Sequence, residues 1–264
     1  MTRPSVSIPV AVIFLVANAA SAANLQDSIE TGIEQFNAAY RAWDLSQFET
    51  AAETLEQVCS THPDSYEAHY WLGAARFHII LHRIGDEAKP ITNAEFRRLT
   101  GSAKAPLKRA VKLNDDDSGS HAIISTLVGL QIARSPSSAL WRGPKSTRYK
   151  RRALRNGPDN PRAHYLVGTS YFHAPGILGG REKGLEFFLK AEKLFVRESK
   201  QDRGPLEPTW GYGSCLTFIG RTYQHMGQAR QAKPYFRNAL TVNPDDRLAQ
   251  NGLKELTKEA ADKE

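Results

Sequence analysis

The sequence predicts an all-α fold of stacked helical hairpins, an α-solenoid. Three observations carry that prediction. Small residues recur at one phase inside apolar helical patterns, as at Gly73, Gly168 and Gly220. Prolines stand where those patterns stop, at Pro63, Pro158 and Pro244, where a missing N–H and a fixed φ end a helix. Residues 213–246, GSCLTFIGRTYQHMGQARQAKPYFRNALTVNPDD, form a complete 34-residue unit. It has Gly220 at position 8, Tyr223 at 11, Ala232 at 20, Phe236 at 24, Ala239 at 27 and Pro244 at 32. Small residues at 8, 20 and 27 let two antiparallel helices approach, and large ones at 11 and 24 fill the gap between them.

The chain begins with a leader pattern. Arg3 precedes the apolar run Ile8–Ala17, and Ala20-Ser21-Ala22 fits a cleavage site. Ten apolar residues fall short of the roughly 20 needed to span a bilayer. The expectation is a signal peptide cut after Ala22 and a periplasmic or secreted product that keeps no stable membrane insertion.

One solenoid domain over 23–264 follows. Its first unit, 32–65, has Ala51, Leu55, Val58 and Pro63 at positions 20, 24, 27 and 32. The second, 66–117, places Leu72 and Gly73 at 7 and 8. The third, 118–160, closes with Ala153 and Pro158 but carries Ser125 at position 8 and Lys150 at position 24. The fourth, 161–212, has Gly168, Tyr171, Phe188 and Ala191 in frame. The fifth is 213–246. Residues 247–259 continue a helical period with no partner and read as the polar cap that a solenoid end needs. The middle units exceed 34 residues because their turns are expanded. One such turn, Pro175-Gly176-Ile177-Leu178-Gly179-Gly180, joins the two helices of unit four. A phosphate loop would need a strand before it and Lys-Ser/Thr after it; a helix precedes and Arg181-Glu182-Lys183 follows. Pro175, Gly179, Gly180 and Arg181 therefore remain loop candidates, either as a shaped turn or as a dock for a carboxylate or phosphate at the start of the next helix.

This pattern resembles the tetratricopeptide repeat. The resemblance implies a right-handed superhelix of five hairpins whose first helices line a concave groove, with positions 2, 5, 9, 12 and 13 facing into it. On those positions stand Phe36, Tyr40, Trp43, Tyr70, Phe77, Tyr165 and Phe172, with His78, His173 and His225 at position 13 and Arg162 and Arg221 beside them. An aromatic groove with His and Arg would adhere to an extended protein or peptide segment that is apolar or acidic. Each ring could instead pack against the neighbouring unit. His69, His121 and His164, all at position 4, read as packing histidines.

Charge supports the acidic partner. The formal net charge is +7, yet residues 23–67 hold nine acids and one base, so the rest of the chain is strongly basic and prefers anions. The run 144–155 holds six Lys or Arg. Export argues against nucleic acid, which leaves a solvated face or an anionic membrane or wall polymer. There is no catalytic constellation, no metal set (two histidines make an incomplete shell) and no cofactor motif, so the expected function is a non-enzymatic scaffold. Two alternatives stay open. Pro175, Gly179 and Gly180 also resemble a turn in soluble accessory components of tripartite uptake systems, which would imply a small-molecule ligand. An enzyme built from the inserted turns is the other. Cys59 and Cys215 fall four repeat steps apart, at about 10 Å each, beyond the roughly 7 Å that a disulfide allows; both are expected to be free thiols.

Overall fold

The structure is a computed structural model that describes residues 10–174 and 180–261, with side-chain surroundings from residue 23 to residue 258. Among the described residues there are eleven α-helices and no strand. They are α1 (Val10–Ala42), α2 (Leu45–Thr61), α3 (Tyr66–Gly85), α4 (Asn93–Leu113), α5 (Ser118–Arg134), α6 (Ala139–Asn156), α7 (Pro161–Phe172), α8 (Gly180–Glu198), α9 (Tyr212–His225), α10 (Ala229–Val242) and α11 (Arg247–Ala261). A 3-10 turn, Pro136–Ser138, leads into α6. The first helix continues back through the expected leader as one element. No helix among the described residues is long and apolar enough to cross a membrane.

Helix starts follow short polar side chains. Asp44, Ser65, Thr92, Asp117 and Asn160 accept from backbone N–H groups of the first turns of α2, α3, α4, α5 and α7, and Asp246 does so for Leu248 and Ala249 at the start of α11. Each cap satisfies donors that have no intrahelical partner.

The helices pack as the hairpins α1/α2, α3/α4, α5/α6, α7/α8 and α9/α10, with α11 against the last pair. The first helices α1, α3, α5, α7 and α9 also touch in order, forming one inner layer. The recurring small residues sit at the crossings. A Cβ at Gly168 would lie 2.6 Å from the Phe188 ring and 3.2 Å from the Gly184 carbonyl; one at Gly220 would lie 2.8 Å from Phe236. Gly73 meets Leu107 in the same way. In unit three the crossing is polar: Ser125 Oγ lies 3.3 Å from the Ser146 hydroxyl and from its carbonyl. Ser146, rather than Lys150, is the residue opposite position 8 there. Lys150 is one turn further along and lies over the Tyr171 ring.

The position-4 residues have a use beyond packing. His164 Nε2 lies 2.8 Å from the Pro158 carbonyl and His69 Nε2 3.0 Å from the Pro63 carbonyl. Gln250 Nε2 donates to the Pro244 carbonyl at 2.8 Å. Each reaches six residues back and ties down the turn between two hairpins. A helical side chain at this position points back toward these carbonyls.

Both cysteines are free, Cys215 buried and Cys59 half-buried. Burial raises both thiols, that of Cys59 to about 11, so neither carries much thiolate at neutral pH.

Candidate functional site

The inner layer does not enclose an empty trough. The connection between α8 and α9 folds back into it. Trp210 in that connection is 2% exposed. Its ring stands edge-on to His78, centroids 5.1 Å apart, and Arg162 lies over it at 5.7 Å. Trp71 Nε1 donates to the Leu206 carbonyl at 2.9 Å. Thr209 donates to Asn37 Oδ1 at 3.3 Å. At the start of α9, Tyr40 OH and Ser214 Oγ are 2.8 Å apart, so the first and fifth units meet across the concave side.

An ion-pair network holds this connection in place. Arg162, 3% exposed, donates two parallel bonds to Glu198 at 2.8 and 2.9 Å. Arg203 donates to the same carboxylate at 2.8 Å, to Glu207 at 2.9 Å and to the Pro208 carbonyl at 2.7 Å. Two arginines on one carboxylate, one of them bidentate, form a rigid charge-assisted clasp.

This arrangement corrects the expectation of an open aromatic wall. Phe36, Tyr70, Phe77, His78, Arg162, Tyr165 and Phe172 are all buried. Phe36 packs on Phe48, Trp71 and His78. Tyr70 packs on Trp71 and against Gly119. Phe77 packs on His78, and Tyr165 on Phe188 and Phe218. Phe36, Tyr165 and Phe172 pack on rings of neighbouring helices, and the inserted connection covers His78 and Arg162 through Trp210. Trp43 is not on the first helix; it occupies the turn before α2 with φ 49°, where Gly227 stands in unit five with φ 72°. Its ring is half-buried against Tyr40, Phe48 and His82. Pro175 and Gly179 lie outside the described residues. Gly180 begins α8 with φ 51°, a left-handed conformation that suits glycine, and Arg181 after it is exposed.

His78 is the centre of the first half of the inner layer. Its Nδ1 lies 2.8 Å from the Ala74 carbonyl, so Nδ1 carries the proton and donates. Phe36, Tyr40, Phe48, Phe77 and Trp210 surround the ring at 5.1–5.6 Å. Burial among these rings pushes its pKa down to about 4, so the imidazole is neutral and structural at physiological pH.

The accessible part of the concave side is at the other end. His173 caps α7 and is exposed; Arg221 and Phe218 on α9 are half-buried, and His225 at the end of α9 is exposed. The Arg221 guanidinium lies 5.4 Å from the Phe172 ring and 5.4 Å from the Phe218 ring. Phe172 meets His173 at 4.9 Å and His225 at 5.5 Å. Burial lowers both histidines, with Arg221 and His225 adding to the effect on His173, and Arg181 and Arg221 adding to that on His225. The cluster is aromatic at its base and cationic at its rim. It could accept a carboxylate on Arg221 while an apolar side chain lies on Phe218. Among the described residues no group of three His, Cys, Asp or Glu could hold a metal ion. Sequence reasoning misses Phe218 and Trp210 because neither falls on a groove position of its unit.

Two shallow crevices, of about 310 and 370 Å³, lie elsewhere, between α2, α3 and α4. None of the candidate residues lines either.

Comparison with known proteins supports the same frame. Residues 36–79 and 214–246 match two family models, each described as tetratricopeptide repeat. No curated protein matches the chain. Among solved structures, the thermophilic tetratricopeptide protein TTC0263 of Thermus thermophilus is 16% identical, with a TM-score of 0.62 over 88% of this chain and 98% of that one. The HusA haemophore of Porphyromonas gingivalis is 19% identical, with a TM-score of 0.63 over 76% of this chain and 93% of that one. Human IFIT1, solved as a dimer with PPP-AAAA, is 18% identical, with a TM-score of 0.56 over 83% of this chain and 43% of that one. Such identities speak to the fold. By its two matching segments and by an architecture that is helical throughout its described length, the chain is a tetratricopeptide-repeat protein with an all-α solenoid fold.

Proposed function

We propose that the protein is an exported, non-enzymatic interaction scaffold that binds an acidic, extended segment of a protein partner at the C-terminal end of its concave side. The observation that carries this reading is Arg221, spread over Phe172 and Phe218 and flanked by His173 and His225. A stacked guanidinium keeps its in-plane donors free for a carboxylate, and aromatic rings with Arg are the residue types that dominate binding energy at interfaces. The tetratricopeptide fold agrees with a protein or peptide partner. The leader pattern at Arg3, Ile8–Ala17 and Ala20-Ser21-Ala22 supports export.

The test is a peptide array of graded acidity probed with purified protein, followed by affinity measurement on the best binders. Acidic peptides bearing an apolar residue should bind, and Arg221→Ala should weaken them by about tenfold or more. Equal binding by the variant, or preference for basic peptides, refutes the reading.

One observation favours a second reading, a small planar ligand: two exposed histidines flank the Phe172 ring. The structural relative from P. gingivalis is a haemophore. A haemin titration decides between the two. A Soret shift that disappears in the His173→Ala, His225→Ala double variant would replace the peptide by a porphyrin.

A further inference from the structure

The outer side carries a second surface, unrelated to the concave cluster. Residues 93–156 hold fourteen Lys or Arg against four acids. Helix α6 has no acid at all; it carries Arg142, Lys145, Arg148, Lys150, Arg151, Arg152 and Arg155. Only Ser146 and Ala153 of this helix are fully buried, while Leu140, Trp141, Lys145, Arg148, Arg151 and Arg155 are exposed. Its neighbours are α5, through a full hairpin interface, and one edge of α7.

The basic side chains of α4 and α6 converge. Lys104 on α4 is close enough to Lys108, Arg142 and Lys145 for their charges to lower its pKa, although burial is the larger cause. Further along, Lys150 of α6 and Lys183 of α8 lie over the Tyr171 ring at 5.0 and 4.7 Å. Such crowding of like charges destabilises the free protein slightly and is relieved by an anionic partner.

Two large apolar residues stand in the same field. Leu140 is 84% exposed and Trp141 is 56% exposed at the first turn of α6. Leu140 lies four residues before Pro144 and eleven before Arg151; Trp141 lies four before Lys145 and seven before Arg148. At 3.6 residues per turn these fall on one outward stripe. A purely solvated helix has no use for Leu and Trp there, and a polyanion such as a nucleic acid or wall polymer would engage the bases without them. Basic residues around an exposed Trp and Leu match the interface of an anionic bilayer, where headgroups attract Lys and Arg and the indole sits at the boundary of the acyl chains.

We propose that the outer face of α6, with Lys104 and Lys108 of α4, is a peripheral docking surface for anionic phospholipid membranes, with Leu140 and Trp141 entering the headgroup boundary.

Purified protein is mixed with vesicles of phosphatidylcholine alone or with a third phosphatidylglycerol, at low and at physiological salt, and sedimented. Binding to the anionic vesicles should exceed binding to the neutral ones by about tenfold or more at low salt and fall as salt rises. Tryptophan emission should shift to the blue on binding, and Trp141→Phe should abolish the shift. Both Lys145→Glu, Arg148→Glu, Arg151→Glu and Leu140→Ser, Trp141→Ser should reduce binding by about tenfold or more. All five of these side chains are exposed, and circular dichroism confirms folding of the variants. Equal binding to the two vesicle types overturns the proposal. So does equal binding by all variants. Binding to DNA or heparin as tight as to anionic vesicles, with no change at Trp141, also overturns it.

Discussion

His78 meets Trp210 edge-on, ring centroids 5.1 Å apart and planes at 80°, although 132 positions of chain separate them. This contact joins the second hairpin to the connection that enters the concave side. Trp210→Ala should remove about 3–5 kcal/mol, the usual cost of truncating a buried aromatic. It should also hydrate His78. Urea unfolding reads the first effect. An NMR titration of the His78 ring reads the second, as a pKa rising from about 4 toward its ordinary value.

The same histidine makes stability depend on pH. Its folded pKa, about 4, is below the unfolded value of about 6.5. Between those values the unfolded chain takes a proton that the folded chain refuses, so stability is full above about pH 6.5 and falls as pH drops toward 4. The loss from His78 alone is about 3 kcal/mol. Burial also lowers His121 and His164, which adds in the same direction. Unfolding free energies at about pH 7 and about pH 4.5 should differ accordingly, and His78→Phe should flatten the profile. An unchanged slope in that variant would show that His78 is not the neutral, buried group described.

Glu198 accepts from both Arg162 and Arg203. Glu198→Ala leaves Arg162 buried without its partner and should cost about 3–5 kcal/mol. Because the clasp holds the α8–α9 connection, the variant should also be cleaved by a protease within residues 199–211 faster than the parent. Cleavage elsewhere, with this connection still protected, would separate the clasp from the segment it is argued to hold.

At Gly168 an added methyl meets the Phe188 ring and the Gly184 carbonyl. Gly168→Ala should therefore destabilise by about 1–3 kcal/mol, despite the better helix propensity of alanine. A gain in melting temperature would mean that α7 and α8 do not cross so closely.

The His173 and His225 pKa values are lowered by burial and by neighbouring cations. A bound carboxylate favours their protonated forms. Affinity for an acidic peptide should therefore rise as pH falls from about 7.5 to about 5.5, and the double alanine variant should lose that dependence. Affinity that falls on acidification would place the peptide elsewhere.

Much of the fold is legible because its signals are local. Gly73, Gly168 and Gly220 recur at one phase since two helices can cross closely only where a side chain is missing, and that requirement is written into each unit by itself. The repeat frame places unit three one turn out of register because Ser125 and Ser146 replace a small-on-large contact by a hydrogen-bonded one, which leaves no apolar residue at position 24. The position-4 histidines are visible as a series, but the carbonyl partners of His69 and His164 are not, since a bond six residues back depends on how the turn curls. The candidate site is legible in part. His173, Arg221 and His225 remain accessible, while Phe36, Tyr70, Phe77, His78, Arg162, Tyr165 and Phe172 are covered.

Sequence pattern alone established the helical hairpins and the pairing of neighbouring helices within them. Each of these depends on residues within about one repeat of each other. Which concave side chains meet solvent emerges only from the folded chain. Residues 199–211 carry no periodic signal, and a loop of that kind reveals its place only through distant partners such as His78, Trp71 and Asn37. Burial is a property of the assembled surface, set here by the rings of adjacent helices and by a connection that folds inward.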